Sequence, residues 1–371
     1  MKTAVNHSLL AIALACTTAG AVIAAEEAPA SQPTVSSAIN LPAPKEGEYV
    51  HNAPRLDELA DSGLHPELQK AIRRGHDLFV NTQQLRGTYT YNDLTCANCH
   101  LGEGRHPFSG PVWPAVTTLP DYRGKNDQVN NLEERIAGCF AFSMNGIPPA
   151  YGSDEMVALT SYLHWLAKGA PVYGDGNNMY GRGYPEPVKP ELEPDADRGE
   201  VVFNEHCVIC HGADGQGMKD GTGRTVFPPL WGDASYNWGA GIARVFTLAG
   251  FVKHNMPYGQ PGKLTDQQAW DVAQFVNTHE RPQDPRFEGS AVETRERYLK
   301  TFHRFTMYGT EFKGQILGEN ATLGGKPVLK PESLRPRNIS GTPSTGGAER
   351  PAAAEAAPAE AAAPADAAPA Q

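Results

Sequence analysis

Two well-separated stretches of the chain place apolar side chains three and four residues apart. In SDEMVALTSYLHWLAKG, Leu159, Tyr162, Leu163 and Leu166 share one helical face; in TDQQAWDVAQFVNTHE, Trp270, Val272, Ala273 and Val276 do. Each stretch opens with a Ser or Thr followed by acids or amides, the pattern of a capped helix start. Both stripes read as core. Upstream of each lies another helical run carrying Gly and Phe four apart, Gly75 with Phe79 and Gly199 with Phe203. That spacing sets a gap beside a ring on one face, where a crossing helix can pack closely. The chain therefore reads as one plan used twice.

Between its opening and closing helix each copy carries CxxCH, as CANCH (Cys96 to His100) and CVICH (Cys207 to His211). This is the attachment signature of c-type haem: two thiols add to the vinyl groups and the histidine reaches the iron. Redox disulfides or zinc are the competing reading, but a zinc ribbon needs a second CxxC pair that neither copy has. Cys96, Cys99, His100, Cys207, Cys210 and His211 are thus expected to hold two covalently bound c-type haems. The predicted fold is mainly α, two cytochrome c-type haem domains in tandem with an irregular C-terminal extension.

The copies differ in one useful respect. Phe203 lies four residues before Cys207, but Phe79 lies seventeen before Cys96, so the first copy carries thirteen extra residues around TQQLRGTYTYND. A pure electron carrier does not need such an insertion ahead of its haem.

Length and composition set the remaining boundaries. The 371 residues suffice for two domains. Residues 1–25, with Lys2, an apolar stretch and small residues before Glu26, read as a secretory signal peptide; if retained, the segment is a membrane anchor. Cys16 raises a lipoprotein reading, for which ALAC is a poor signal. Export to the periplasm suits c-type haem. Residues 26–55 read as a flexible leader, 56–170 as the first haem domain, 171–194 as a Gly/Pro-rich linker and 195–282 as the second haem domain. Residues 283–345 form an extension expected to wrap the surface, with RERYLKTFHRFTMYG helical within it, and the Ala/Pro-rich residues 346–371 a disordered tail. A formal net charge of −10 disfavours nucleic acid and offers anions no global attraction. An anionic substrate needs local cations.

The second iron ligand separates the two halves. In FVKHNMPYGQ, Met256 follows His211 by forty-five residues in a Pro/Gly loop. A thioether there favours ferrous iron and suits electron transfer; Lys253, His254 and Met218 compete. In the first half the corresponding slot, thirty-nine residues after His100, holds Cys139. With Cys16 removed and four thiols committed to haem, Cys139 is the cysteine left over, and an unpaired thiol in an exported protein has a task or a partner. The metal ligands are therefore expected to be His100 with Cys139 and His211 with Met256; Met144 is the rival to Cys139. A thiolate lowers the iron potential, a poor choice for a simple shuttle. If LEERIAGCFAFS is one helix, Arg135, Cys139 and Ser143 lie a turn apart on a single face, an anion pocket around a sulfur.

On CANCH, the YRGKNDQVNNLEERIAGCF..SMNG run, CVICH and NMP, residues 65–280 resemble the dihaem thiosulfate dehydrogenases, which are also tetrathionate reductases. The resemblance implies a periplasmic enzyme that joins two thiosulfates into tetrathionate, releasing two electrons, with Cys139 as catalytic ligand and Met256 as ligand of the second haem. It implies thiosulfate and tetrathionate as substrates and a small periplasmic cytochrome c as electron partner. Some members have Lys where this chain has Asn255, and many have a basic residue where it has Phe142. Both substrates are dianions, so cations must serve the site. Arg105 and Arg135 are the first candidates and Ser143 the next, with Arg123 and Lys125 behind them; each could equally serve a haem propionate or the solvated surface. Two rival functions remain at this stage. One is a dihaem electron carrier without a substrate. The other is a sulfur-oxidation haem subunit that conjugates thiosulfate to a carrier protein.

Overall fold

The computed structural model describes residues 41–172, 178–185, 187–299 and 306–327. The signal segment, residues 26–40 of the leader, the C-terminal tail and parts of the linker and extension lie outside the described residues.

Pro66 at the first position and the His65 ring, whose Nδ1 accepts the Glu67 N–H at 3.3 Å, start helix α1 (Pro66–Val80). Two short turns follow, α2 (Cys96–Cys99) and α3 (Leu101–Gly104), then α4 (Trp113–Thr118), α5 (Leu132–Gly138) and α6 (Asp154–Leu166). The second half repeats the plan with α7 (Ala196–His206), α8 (Val208–His211), α9 (Val245–Asn255) and α10 (Asp266–Val276). A turn of helix, α11 (Ala291–Thr294), lies in the extension. Three two-stranded antiparallel ribbons complete the described elements: Asp121–Arg123 with Gln128–Asn130, Met218–Lys219 with Thr225–Phe227, and Glu311–Phe312 with Gln315–Ile316.

In each half the opening helix crosses the closing one at a glycine. A Cβ on Gly75 would stand 2.0 Å from the Ala158 carbonyl oxygen of α6, and one on Gly199 the same distance from the Asp271 carbonyl of α10. Phe79 packs beside the α1 crossing, its ring centre 5.6 Å from that of Tyr162, and Phe203 lies 5.4 Å from Phe275 in the second. The Ser153 and Thr265 hydroxyls cap α6 and α10. Leu159, Tyr162, Leu163 and Leu166 are buried in one core, Trp270, Val272, Ala273 and Val276 in another.

The extension departs from expectation. Instead of wrapping the surface it builds a third core, in which Leu299, Tyr308 and Leu317 meet Phe142, Met144 and Trp238. Tyr308 stacks on Trp238 with ring centres 5.7 Å apart. Polar members go inside with it: Asp284 and Arg286 are buried as a bidentate pair, at 3.0 and 2.7 Å. Of the stretch expected to be helical, Arg295–Leu299 forms a π-helical turn directly after α11; residues 300–305 lie outside the described residues, and Thr306 bridges to Arg244. Both haem-bearing halves and the described extension belong to one compact unit. No described helix is long and apolar enough to cross a membrane.

Candidate functional site

The first site grows from α2. Asn98 accepts the Thr95 N–H at 2.7 Å in a capping box, and the Thr82 hydroxyl accepts the Cys96 N–H at 3.1 Å. Next comes His100, whose Nδ1 lies 2.5 Å from the Gly110 carbonyl oxygen. That carbonyl is itself held, because Phe108 N–H and Gly110 N–H donate to Gly181 and Gly183 of the linker at 2.8 and 2.9 Å. Burial pushes the His100 ring down to about 4, so it is neutral at physiological pH. With Nδ1–H given to the carbonyl, Nε2 keeps its lone pair for a metal.

Cys139 arrives from the other side. Asn131 and Glu134 form a capping box that starts α5, and Gly138 ends it. The sequence pattern suggested one helix through Ser143; the chain instead widens into a π-helical turn at Cys139–Ser143, with Met144 N–H donating to the Cys139 carbonyl at 3.0 Å. Carbonyls along and after the turn are held from outside. Asn92 takes that of Ser143 at 2.8 Å, Asn237 those of Ala141 and Phe142 at 2.8 and 3.2 Å, and Tyr91 N–H that of Met144 at 3.2 Å. π turns of this kind concentrate at functional sites. The inserted residues ahead of the first CxxCH are therefore the buttress of the cysteine turn. Gly146 fits beneath them only because it lacks a Cβ, which would stand 2.0 Å from the Tyr89 carbonyl oxygen.

Cys96, Cys99, His100, Arg135, Cys139 and Ser143 line one cavity of about 460 Å³. Within it, Arg135 Nη1 donates to Cys139 Sγ at 2.9 Å, which sets a cation directly against the sulfur. Arg123 and Lys125 line it too; burial and the Arg135 charge push Arg123 down to about 10. Phe79, Val112, Leu159 and Leu163 supply apolar walls. Met144, the rival ligand, is buried and also lines the cavity, without a cation at its sulfur among the described contacts.

Arg105 stands apart from this cavity. The left-handed backbone at Gly102 and Glu103 turns the chain away after His100, and Tyr162 Oη fastens the Glu103 carbonyl at 2.7 Å. Arg105 consequently pairs with Glu103 at 3.4 Å, beside His76, and does not line the cavity. In its place the second half and the linker contribute Arg244, Thr247, Tyr236 and Tyr184. No local motif announces these residues, since they reach the cavity only through the docking of the two halves.

At the second site the His211 Nδ1 lies 3.0 Å from the Pro228 carbonyl oxygen, in the Pro-rich FPPLWG loop. Met256 and Cys207 both pack against the second core, beside Leu230 and Phe246. The competitors of Met256 are engaged elsewhere: Lys253 donates to the Leu264 carbonyl at 2.7 Å and lies 3.5 Å from Asp266, His254 tilts against Phe108, and Met218 is exposed in a ribbon. At both sites an oriented, neutral imidazole, two unbridged thiols and apolar walls suit a covalently held macrocycle.

Residues 83–172 match the family described as SoxA/TsdA, cytochrome c domain, and residues 194–276 match cytochrome C oxidase, cbb3-type, subunit III. The sequence is 43% identical to the thiosulfate dehydrogenase of Stutzerimonas stutzeri (strain A1501), across 85% of this chain and 99% of that protein. This chain belongs to the thiosulfate dehydrogenase family. It is 46% identical to the thiosulfate dehydrogenase of Thiomonas intermedia (strain K12), across 67% of this chain and 78% of that one. Among solved structures it is similar to thiosulfate dehydrogenase (TsdBA) from Marichromatium purpuratum in the as-isolated form, with a TM-score of 0.66 and 42% identity over 72% of this chain. The chain spans 57% of that structure's length. Two c-type haems follow from the family, one for each CxxCH.

Proposed function

We propose that this protein interconverts thiosulfate and tetrathionate at the first haem site and passes electrons through the second. The observation that carries the reading is the Arg135–Cys139 contact of 2.9 Å inside the cavity that also holds Cys96, Cys99 and His100. The reactive form of cysteine is the anionic sulfur, and Arg135 places a cation directly beside it. Arg123 and Lys125 add positive charge where two dianions must meet, offsetting the −10 formal charge of the whole chain.

The sulfur chemistry balances on Cys139. Its thiolate joins the outer sulfur of one thiosulfate to form a cysteine–thiosulfate disulfide, with loss of two electrons. The outer sulfur of a second thiosulfate then attacks that same sulfur, releasing tetrathionate and restoring the thiolate. When bound, the two haems supply one-electron acceptors for the pair of electrons, His100 and Cys139 serving as ligands at the first and His211 and Met256 at the second. Ser143, on the cavity wall, is a hydrogen-bond donor for a sulfonate oxygen. The protein works in the periplasm, with a small cytochrome c as electron partner.

Ferricyanide reduction by thiosulfate and dye-linked tetrathionate reduction, measured on the purified dihaem protein, test the reading. Cys139→Ala is expected to abolish both while leaving two attached haems. Retained turnover in that variant, or a wild type inert toward both compounds, would overturn it.

A further inference from the structure

The C-terminal extension reaches the wall of the first cavity through a buried charge cluster, and its innermost members have no role in the chemistry above. Asp284 and Arg286 are each less than a twentieth exposed. Phe142, on the π-helical turn that carries Cys139, lies against Arg286, whose guanidinium carbon is 4.9 Å from the ring centre. The Lys125 ammonium sits 3.7 Å from the centre of the same ring. Lys125 also donates to the Gly239 carbonyl at 2.8 Å. Gly239 in turn lies directly against Asp284, since a Cβ there would stand 2.2 Å from the Asp284 Oδ2.

We propose that Asp284 is a positioning residue for the substrate anion. Acting with Arg286 from the C-terminal extension, it fixes Phe142 and the Lys125 ammonium so that Lys125 presents its charge to thiosulfate. This rests on the functional reading above and adds to it a specificity device outside both haem segments.

The geometry supports each link. An ammonium has three N–H groups; one is given to Gly239, the π face of Phe142 flanks the group, and Lys125 lines the cavity. A cation over an aromatic face is held in place while still able to attract an anion. Electrostatics make a counter-charge necessary. Burial and the charges of Arg286, Arg123 and Arg135 push the Lys125 ammonium well below its ordinary range, and Asp284 opposes them. Without Asp284, Lys125 faces three arginines with that opposing charge gone. A buried carboxylate placed behind a cation lets the cation stay charged without standing between it and the substrate.

The test uses the dihaem holoenzyme with ferricyanide and varied thiosulfate. Asp284→Asn is expected to raise KM about tenfold, ~1.4 kcal/mol of binding, with kcat changed by less than about threefold. Haem content and low-spin electron resonance signals should match the wild type. Lys125→Met should raise KM to the same degree, Lys125→Arg should recover most of the loss, and Asp284→Asn on the Lys125→Met background should add nothing, as for two residues acting as one. An unchanged or lowered KM in Asp284→Asn, or additive effects in the double variant, overturns the proposal. Should Asp284→Asn give no holoprotein, Gly239→Ala displaces the same carboxylate, and an unaltered KM there overturns it equally. A wild type inactive on thiosulfate sinks the function itself; an active wild type with insensitive variants sinks only the positioning role.

Discussion

A sulfur and a guanidinium 2.9 Å apart define the reactive end of this molecule at the scale of single residues. Removing the cation takes away the positive charge beside the reacting sulfur. Hydrogen bonds to charged groups contribute roughly 1.5–3 kcal/mol, so Arg135→Gln is expected to lower kcat about 10- to 100-fold. The first haem's potential should fall in the same variant, because a nearby cation favours the reduced, less positive iron; spectroelectrochemistry checks this. Arg105→Gln, by contrast, alters a contact with Glu103 that lies off the cavity lining, and its KM for thiosulfate should stay within about twofold of wild type. The sequence placed these two arginines on an equal footing. Spacing along α5 makes Arg135 a neighbour of Cys139, whereas the fate of Arg105 depends on two consecutive left-handed residues that no periodicity reveals.

Among the elements, the helix crossings and the cysteine turn behave differently. At the crossings, backbone meets backbone at glycine in both halves, so the Gly–Phe spacing was already a statement about packing. Gly75→Ala drives a methyl group into the Ala158 carbonyl and Gly199→Ala into that of Asp271. Overpacking of this kind costs about 1–3 kcal/mol or more, and denaturant unfolding of each variant should show a loss of at least that size. At Cys139–Ser143 the spacing predicts ordinary helix, and the chain forms a π-helical turn instead. Asn92 and Asn237 hold it from outside, taking the Ser143 and Ala141 carbonyls that an onward α-helix would use internally. Asn92→Ala should therefore loosen the turn and change the first haem's resonance spectrum while sparing the second's.

For the whole molecule the decisive feature is that remote segments complete the first site. Asn255, just before Met256, donates to the Phe108 carbonyl at 3.0 Å, two residues from the Gly110 carbonyl that orients His100. Lys219 of the second half pairs with Asp93 of the inserted segment at 2.9 Å. The extension adds Asp284. Burial pushes its carboxyl up, but the charge and hydrogen bonds of Arg286, with Lys125, outweigh that and hold it below its ordinary value of 3.8. A group whose folded value is depressed stabilises fully above its unfolded value and loses that contribution as pH falls through the folded one. Acid melting should therefore show it: as pH falls below about 4 the wild type should lose more stability than Asp284→Asn.

What this sequence determined by itself was whatever covalent chemistry and helix period specify over short range: two haem attachments, two capped closing helices, two glycine crossings and a cysteine one turn from an arginine. The structure decided which distant groups surround that cysteine. Lys125 meets Gly239 across 114 positions, and Asn92 meets Ser235 across 143. Such contacts arise from burying three cores against one another, and they leave no spacing in the chain from which to read them.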